Sequence, residues 1–288
     1  MFTGKGGVGK TTCSAATALH SAKTGRTLII STDATPSLSH IFEIVDKQKL
    51  TEVLPNLFVS EIGEREIREM WDEKFGREVY EVFSSFVDIE YEDFVAFMTS
   101  ILPGLGEEFM VDHIRELCLK GAYENIVWDT APLGQTLGLL ETPALLGEHL
   151  RLAPRVYSRL KLGKRSRAPV LEILKRWEKL SAENMEFLRK DVNFTMVTIP
   201  EALAVEQLEG IFRELGKYGL SVQRIIINNV VKIEESLFLR TKARQQRQYL
   251  KQIHEKYSNL KIIEVPMFPQ EVKGVKRLEE VGKILFNM

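Results

Sequence analysis

The run Gly4-Lys5-Gly6-Gly7-Val8-Gly9-Lys10-Thr11 has the spacing G-x-x-x-x-G-K-[ST], and Thr12 adds a second hydroxyl beside it. Glycines at these positions let the backbone curl so that successive N–H groups point inward at phosphate oxygens. A helix that begins at the end of the loop turns its positive dipole end toward the same anion. Lys10 can then reach the β- and γ-phosphates of a nucleotide, and the Thr11 hydroxyl can ligate Mg²⁺. Only Met1, Phe2 and Thr3 precede the turn, so the strand entering it must be very short.

Further polar residues stand where runs of apolar residues end. Asp33 follows such a run, so its carboxylate can orient or deprotonate an attacking water; otherwise it simply starts a turn. Asp129 closes another run and can reach a Mg²⁺ shell, its alternative being a helix cap that the nearby Pro132 disfavours. Gly134 can offer a backbone N–H to a γ-phosphate, so that loss of the phosphate releases its segment. Asn228 carries an amide suited to the edges of adenine, or merely ends a strand. Glu201 is a nucleotide contact or a plain carboxylate at a helix start.

Elements that could position these groups are legible as short β-branched runs: Arg26–Ser31, Leu57–Glu61, Asn125–Asp129, Phe194–Ile199, Arg224–Asn229 and Lys261–Val265. They do not alternate with polar residues as half-exposed strands would, and so read as buried parallel strands. Helical patterns lie between most of them, at Lys10–Lys23, Val205–Lys217, Arg240–Tyr257 and Val275–Phe286. This alternation predicts an α/β fold with a doubly wound, mostly parallel sheet. One domain spans 1–288, with helical insertions expected at about 62–120 and 143–190. Those insertions differ in charge. Glu61–Asp93 holds twelve acidic and four basic residues, whereas Arg151–Lys179 holds ten basic and two acidic. Two solvated faces that attract each other would explain this, as would a basic surface for an acidic or membrane partner.

Composition narrows the function. The 39 Lys and Arg against 40 Asp and Glu leave no excess of positive charge for coating nucleic acid. Two cysteines, Cys13 and Cys118, cannot make a disulfide framework or a four-cysteine metal or cluster site. No uninterrupted apolar stretch long enough to span a membrane is present, and no basic, apolar leader pattern, so the cytoplasm is the expected location.

The form K-G-G-V-G-K-T-T resembles the deviant phosphate loop shared by the nitrogenase iron protein, the Min and Par ATPases and the arsenite-pump ATPases. Four segments are similar to the arsenite-pump ATPase (ArsA) family in particular. Ser31-Thr32-Asp33-Ala34-Thr35-Pro36-Ser37-Leu38-Ser39 resembles its first switch and Asp129-Thr130-Ala131-Pro132-Leu133-Gly134-Gln135-Thr136-Leu137 its second. Ile199-Pro200-Glu201 with Ile227-Asn228-Asn229 looks like its nucleotide-contacting segments, and Val265-Pro266 through Gly274 like its base-binding loop. The resemblance implies a P-loop NTPase that hydrolyses ATP with Mg²⁺ and switches a homodimer. Asp33, Lys10 and Lys5 would be catalytic, with Lys5 reaching the nucleotide of the partner subunit. Gly4 through Thr12, Gly134, Glu201, Asn228 and Pro266 would hold ATP or ADP, and Thr11 and Asp129 the metal. The single-copy length looks like the branch that targets tail-anchored membrane proteins, implying a hydrophobic membrane-protein client or a membrane partner and no nucleic acid.

The chain departs from the family pattern in places. Pro36 replaces a histidine of the first switch, and Leu133 and Gln135 replace polar residues of the second, which puts switch coupling in question. Alignment on Ala243-Arg244 sets Phe238 and Thr241 where the targeting branch has a zinc-sharing C-x-x-C pair, so no zinc is expected. The targeting branch has Met-rich helices for its client, whereas the helical blocks here hold only Met70, Met98, Met110 and Met185 among the aromatics Tyr80, Phe83, Phe86, Tyr91, Phe94 and Phe97. Such an aromatic stripe is more often core than client groove. Two other functions remain open on sequence: an arsenite or antimonite pump subunit, and a Min/Par-like positioning ATPase.

Overall fold

A computed structural model describes residues 1–32, 37–46, 48–84, 89–95, 105–130, 167–233 and 235–287. Eight strands form one sheet: β1 (Phe2–Thr3), β2 (Thr27–Ser31), β3 (Thr51–Leu54), β4 (Leu57–Glu61), β5 (Asn125–Asp129), β6 (Phe194–Thr198), β7 (Val222–Val230) and β8 (Lys261–Pro266). Their spatial order is β3-β4-β2-β5-β1-β6-β7-β8. All neighbours are parallel except β3, which runs antiparallel to β4 at one edge. The expected doubly wound, mostly parallel sheet is therefore present. Pro55 and a left-handed Asn56 (φ 67°) make the tight turn between β3 and β4.

Every residue of β2 and β6 is buried. Alternate strand residues explain why. Ile29, Val127, Val197, Ile226 and Ile263 form a row in one core with α1 (Lys10–Ser21) and α9 (Gly274–Leu285). Their neighbours Leu28, Ile30, Trp128, Met196, Ile225 and Ile227 point to the opposite face and are buried too. Both faces of the sheet are covered, and this is why the strand sequences read as continuous apolar runs.

Helix α1 owes its close approach to small residues: Cys13, Ser14, Ala15, Ala16, Thr17 and Ala18 are buried. Leu278, Val281 and Leu285 fall on one face of α9, at the spacing an amphipathic helix needs. A Cβ on Gly282 would lie 3.5 Å from the Ala16 carbonyl oxygen, so the two helices nearly touch through their backbones. His20 stacks on Phe286 with ring centroids 3.9 Å apart.

The chain divides into two compact units. One comprises Met1–Gly63, Lys120–Thr136 and Val192–Met288, and holds the sheet; the other comprises Glu64–Leu119 and Leu137–Asp191. In the second unit, α3 (Glu64–Trp71) passes through a π-helical turn at Asp72–Gly76 into α4 (Arg77–Ser84), followed by α5 (Leu105–Lys120) and α6 (Arg167–Lys190). Tyr91 donates to Asp72 directly over Gly76, where a Cβ would lie 2.0 Å from the Asp72 oxygen. A larger residue at 76 would have to displace the Asp72–Tyr91 pair. Tyr80, Tyr91 and Phe94 pack edge to face or tilted within about 6.3 Å, and Phe94 is fully buried. Phe94 is core of the helical unit, with the half-buried Tyr80 and Tyr91 packed against it; Phe86 and Phe97 lie outside the described residues. Arg176 pairs with Glu78 at 2.8 Å, one direct link between the basic and acidic stretches.

Candidate nucleotide site

Strands β1, β5, β7 and β8 bring the glycine loop, Asp129, Asn228 and Pro266 to the carboxyl edge of the sheet, where open α/β sheets bind ligands. The loop leaving β1 is shaped by its glycines. A Cβ on Gly4 would lie 2.2 Å from the Val197 carbonyl oxygen of β6, so only glycine can leave the strand there. Gly7 and Gly9 take φ values of 76° and 95°, in the left-handed region that other residues resist. Val8 is buried in the core and anchors the loop from beneath. Lys10 donates to the Lys5 carbonyl oxygen at 3.2 Å, closing the loop on itself. Gly6 and Gly7 remain exposed and Lys5 is half-buried.

At the start of α1 the Thr11 hydroxyl donates to Asp129 Oδ2 at 2.9 Å and lies 3.4 Å from the Ser37 hydroxyl. Asp129 ends β5 and is almost wholly buried. The strand ends around it are tied together. The Thr32 backbone N–H donates to the Asp129 carbonyl at 3.2 Å, Trp128 Nε1 to the Thr32 hydroxyl at 3.2 Å, and the Thr130 hydroxyl to the Phe2 carbonyl at 2.7 Å. A hydroxyl and a carboxylate held this close make an all-oxygen donor set of the kind Mg²⁺ takes, so the residues fit the metal.

A cleft of about 570 Å³ opens at the head of α1, of the size small-ligand sites occupy. Gly9, Thr11 and Thr12 form one side, Ser37 and His40 another, and residues 268–272 a third. Phe268 and Pro269 supply an apolar wall suited to a flat ring, with Gln270 and Glu271 beside it. Pro266 itself is part of β8, opposite Val230; Val265 and the residues from 268 onward line the cleft.

Asn228 is 8% exposed, and its Nδ2 donates to the Val8 carbonyl at 2.9 Å. The amide thus holds the phosphate loop as well as bordering the cleft. Glu201 stands apart. It precedes α7 (Ala202–Lys217) without a side-chain capping bond and lines a second cleft of about 640 Å³ with Phe238, Thr241 and Lys242. Phe238 and Thr241 offer no thiolate or imidazole to a metal there. Asp33, Pro36, Leu133, Gly134 and Gln135 lie outside the described residues.

One contributor was not singled out by sequence: Ser37, in a hydroxyl-rich segment that could have drawn attention.

The family described as anion-transporting ATPase matches residues 1–287, nearly the whole chain. The chain belongs to that family. It is accordingly an ATP-hydrolysing, nucleotide-binding enzyme with a P-loop NTPase fold. A protein of Aquifex aeolicus bearing an arsenical pump-driving ATPase name is 32% identical, over 99% of this chain and 98% of its own. The ATPase GET3A of Arabidopsis thaliana is also 32% identical, over 96% of this chain and 80% of its own. An ATPase ASNA1 homolog of Dictyostelium discoideum is 29% identical, over 99% and 88%. Among the described residues, no helix is long and apolar enough to cross a membrane.

Proposed function

We propose that this ATPase is a magnesium-dependent homodimer switched by nucleotide, with ATP or ADP in the cleft at the head of α1. The observation that carries the reading is the Thr11–Asp129 oxygen pair, 2.9 Å apart at the end of a glycine loop. In this reading the N–H groups of Gly4 through Thr12 bind the phosphates and Lys10 adds a charge-assisted contact to them. Asn228 and the Pro266–Val272 segment flank the base. Gly134 senses the γ-phosphate, and Asp33 holds the attacking water and accepts its proton. Mg²⁺, when bound, neutralises phosphate charge as it develops. Glu201, in the other cleft, is assigned no nucleotide contact.

Lys5 is proposed to act across the dimer, on the nucleotide of the partner subunit, as negative charge builds up. Its side chain is only partly buried in its own chain. The mixing of two variants tests this. Lys5→Ala and Asp33→Asn homodimers should each turn over slowly while binding ATP nearly normally. A heterodimer of the two has one site with both groups intact and should recover activity at that site. Proven heterodimers as slow as their parents would remove Lys5 from the partner's site.

For the work done with ATP, we favour handling of a hydrophobic membrane-protein client by the helical unit. The GET3 and ASNA1 names of relatives support this, together with the sequence resemblance to the targeting branch. Arsenite would need several thiolates. Burial, with Asp129 adding to it, pushes the Cys13 thiol up to about 12, and one further cysteine does not make such a site. Activation of turnover by antimonite, dependent on thiols, would reverse that preference. Zinc has no part in the proposal, and stoichiometric zinc in the purified protein would contradict it.

A further inference from the structure

Strand β7 loses register with β8 between Ile227 and Val230: Ile227 pairs with Glu264, and Val230 with Pro266. Inside this bulge Asn229 adopts a left-handed conformation, φ 58°, uncommon for a residue with a side chain. Two backbone groups flanking the bulge find a side chain as partner. Gln246, on α8 (Leu237–Lys256), is 3% exposed. Its Nε2 donates to the Asn229 carbonyl at 3.0 Å, and its Oε1 accepts from the Val231 backbone N–H at 2.8 Å. Both ends of the amide are fixed by the chemistry they meet, because only a donor satisfies the carbonyl and only an acceptor the N–H.

Asn228 lies inside the same register shift. From there its amide reaches the Val8 carbonyl at 2.9 Å and fills the space above Gly9. We infer that Gln246 is a positioning residue for the nucleotide site. It holds the bulge, the bulge aims Asn228, and Asn228 fixes the carbonyl of Val8 so that the loop's N–H groups face the phosphate. Helix α8 is thereby connected to the phosphate loop through two buried amides, those of Gln246 and Asn228. The inference rests on the reading that the cleft at the head of α1 takes nucleotide.

The test is a double-mutant cycle read by ADP titration and, separately, by urea unfolding. Gln246→Leu should weaken ADP binding about tenfold, the consequence of leaving the buried Val231 N–H unpaired and the Asn229 carbonyl without its donor at the bulge. Asn228→Ala should weaken it to a similar degree. In the double variant the affinity loss should be no larger than in Asn228→Ala alone, although the stability loss from Gln246→Leu persists. Gln246→Glu keeps the acceptor for Val231 and loses the donor to Asn229; it should bind ADP with intermediate affinity, and it serves if the leucine variant does not fold. Undiminished ADP affinity in a folded Gln246 variant would overturn the inference, as would affinity losses that add. Native protein that fails to bind ADP would instead remove the nucleotide site itself, and this inference with it.

Discussion

The amide nitrogen of Asn228 lies 2.2 Å from the point where a Cβ on Gly9 would be, while donating to the carbonyl of Val8 at 2.9 Å. The loop and β7 are therefore fitted to each other at a position where one methyl group cannot enter. Gly7 also has positive φ, but nothing lies within 4 Å of its missing Cβ.

These two glycines should respond differently to alanine. Gly7→Ala pays only for the left-handed backbone, roughly 1 kcal/mol. Gly9→Ala adds the displacement of Asn228 and should lose roughly 2–4 kcal/mol and most nucleotide affinity. Urea unfolding and ADP titration of both variants check the order; equal losses would mean that Asn228 moves aside freely.

Asp129→Asn keeps an acceptor for the Thr11 hydroxyl but removes the charge a divalent ion needs. The Mg²⁺ concentration giving half-maximal turnover should rise by about tenfold or more. A titration of turnover with Mg²⁺ at saturating ATP measures this. An unchanged midpoint would place the metal elsewhere.

The two cysteines should label at very different rates. Burial and the nearby Asp129 raise the Cys13 thiol to about 12, so almost no thiolate forms at pH 8. Cys118 is exposed, though partial burial and Asp191 raise its pKa as well, so its labelling should quicken as pH rises toward and past 9. Mass spectrometry should find one modified cysteine per native chain and two after denaturation. Ready modification of Cys13 in the native protein would show that α1 opens.

Glu264 offers a pH-dependent contribution to stability. Burial pushes its pKa up, but hydrogen bonds from Lys232 and from His254, the latter at 2.9 Å, outweigh this and hold it below its ordinary 4.5. A depressed carboxylate stabilises the fold above its unfolded pKa, and the contribution disappears as pH falls through the folded one. Glu264→Gln should therefore be less stable than the parent at pH 7 and equal to it well below pH 4. A gap that stays constant with pH would assign the loss to packing.

In the helical unit, Lys74 pairs with Asp112, whose side chain is 1% exposed, and with Glu116 at 2.5 Å. Lys74→Met leaves a buried carboxylate with less compensation and should cost about 3 kcal/mol. Arg176→Met breaks an open pair, with Arg176 61% exposed, and should cost under about 1 kcal/mol. Urea unfolding followed through Trp71 and Trp177 fluorescence compares the two. The reverse order would show that Arg115, 3.3 Å from Asp112, suffices for it.

Six of the eight strands were legible because parallel strands covered on both faces leave an unbroken apolar signature, and the phosphate loop was legible because glycines follow from backbone geometry. Strand β3, Thr-Glu-Val-Leu, escaped: a four-residue, partly exposed edge strand has neither alternation nor an apolar run. So did α2 (Leu38–Ile41), whose first N–H is satisfied from afar, by Glu61 at 2.7 Å. The same limit hid Gln246. Its partners are defined by a register shift in β7, and no local pattern around Gln246 reports a bulge in another element. Glu201 shows the converse, since resemblance to the family put it among the nucleotide contacts and the fold sets it in a different hollow.

The position of β1 between β5 and β6 has a consequence for how the protein is made. On a ribosome β1, which belongs in the centre of the sheet, emerges well before its neighbours: the nearer in sequence, β5, follows about 120 residues later. At synthesis rates of about 5–20 residues per second, that is a wait on the order of ten seconds. Its other neighbour and the helix that packs on α1 come later still. Throughout that interval the glycine loop has no walls to hold its shape, so the nascent chain cannot take up nucleotide. The small-residue face of α1 therefore stays without its partner helix until α9 has been made.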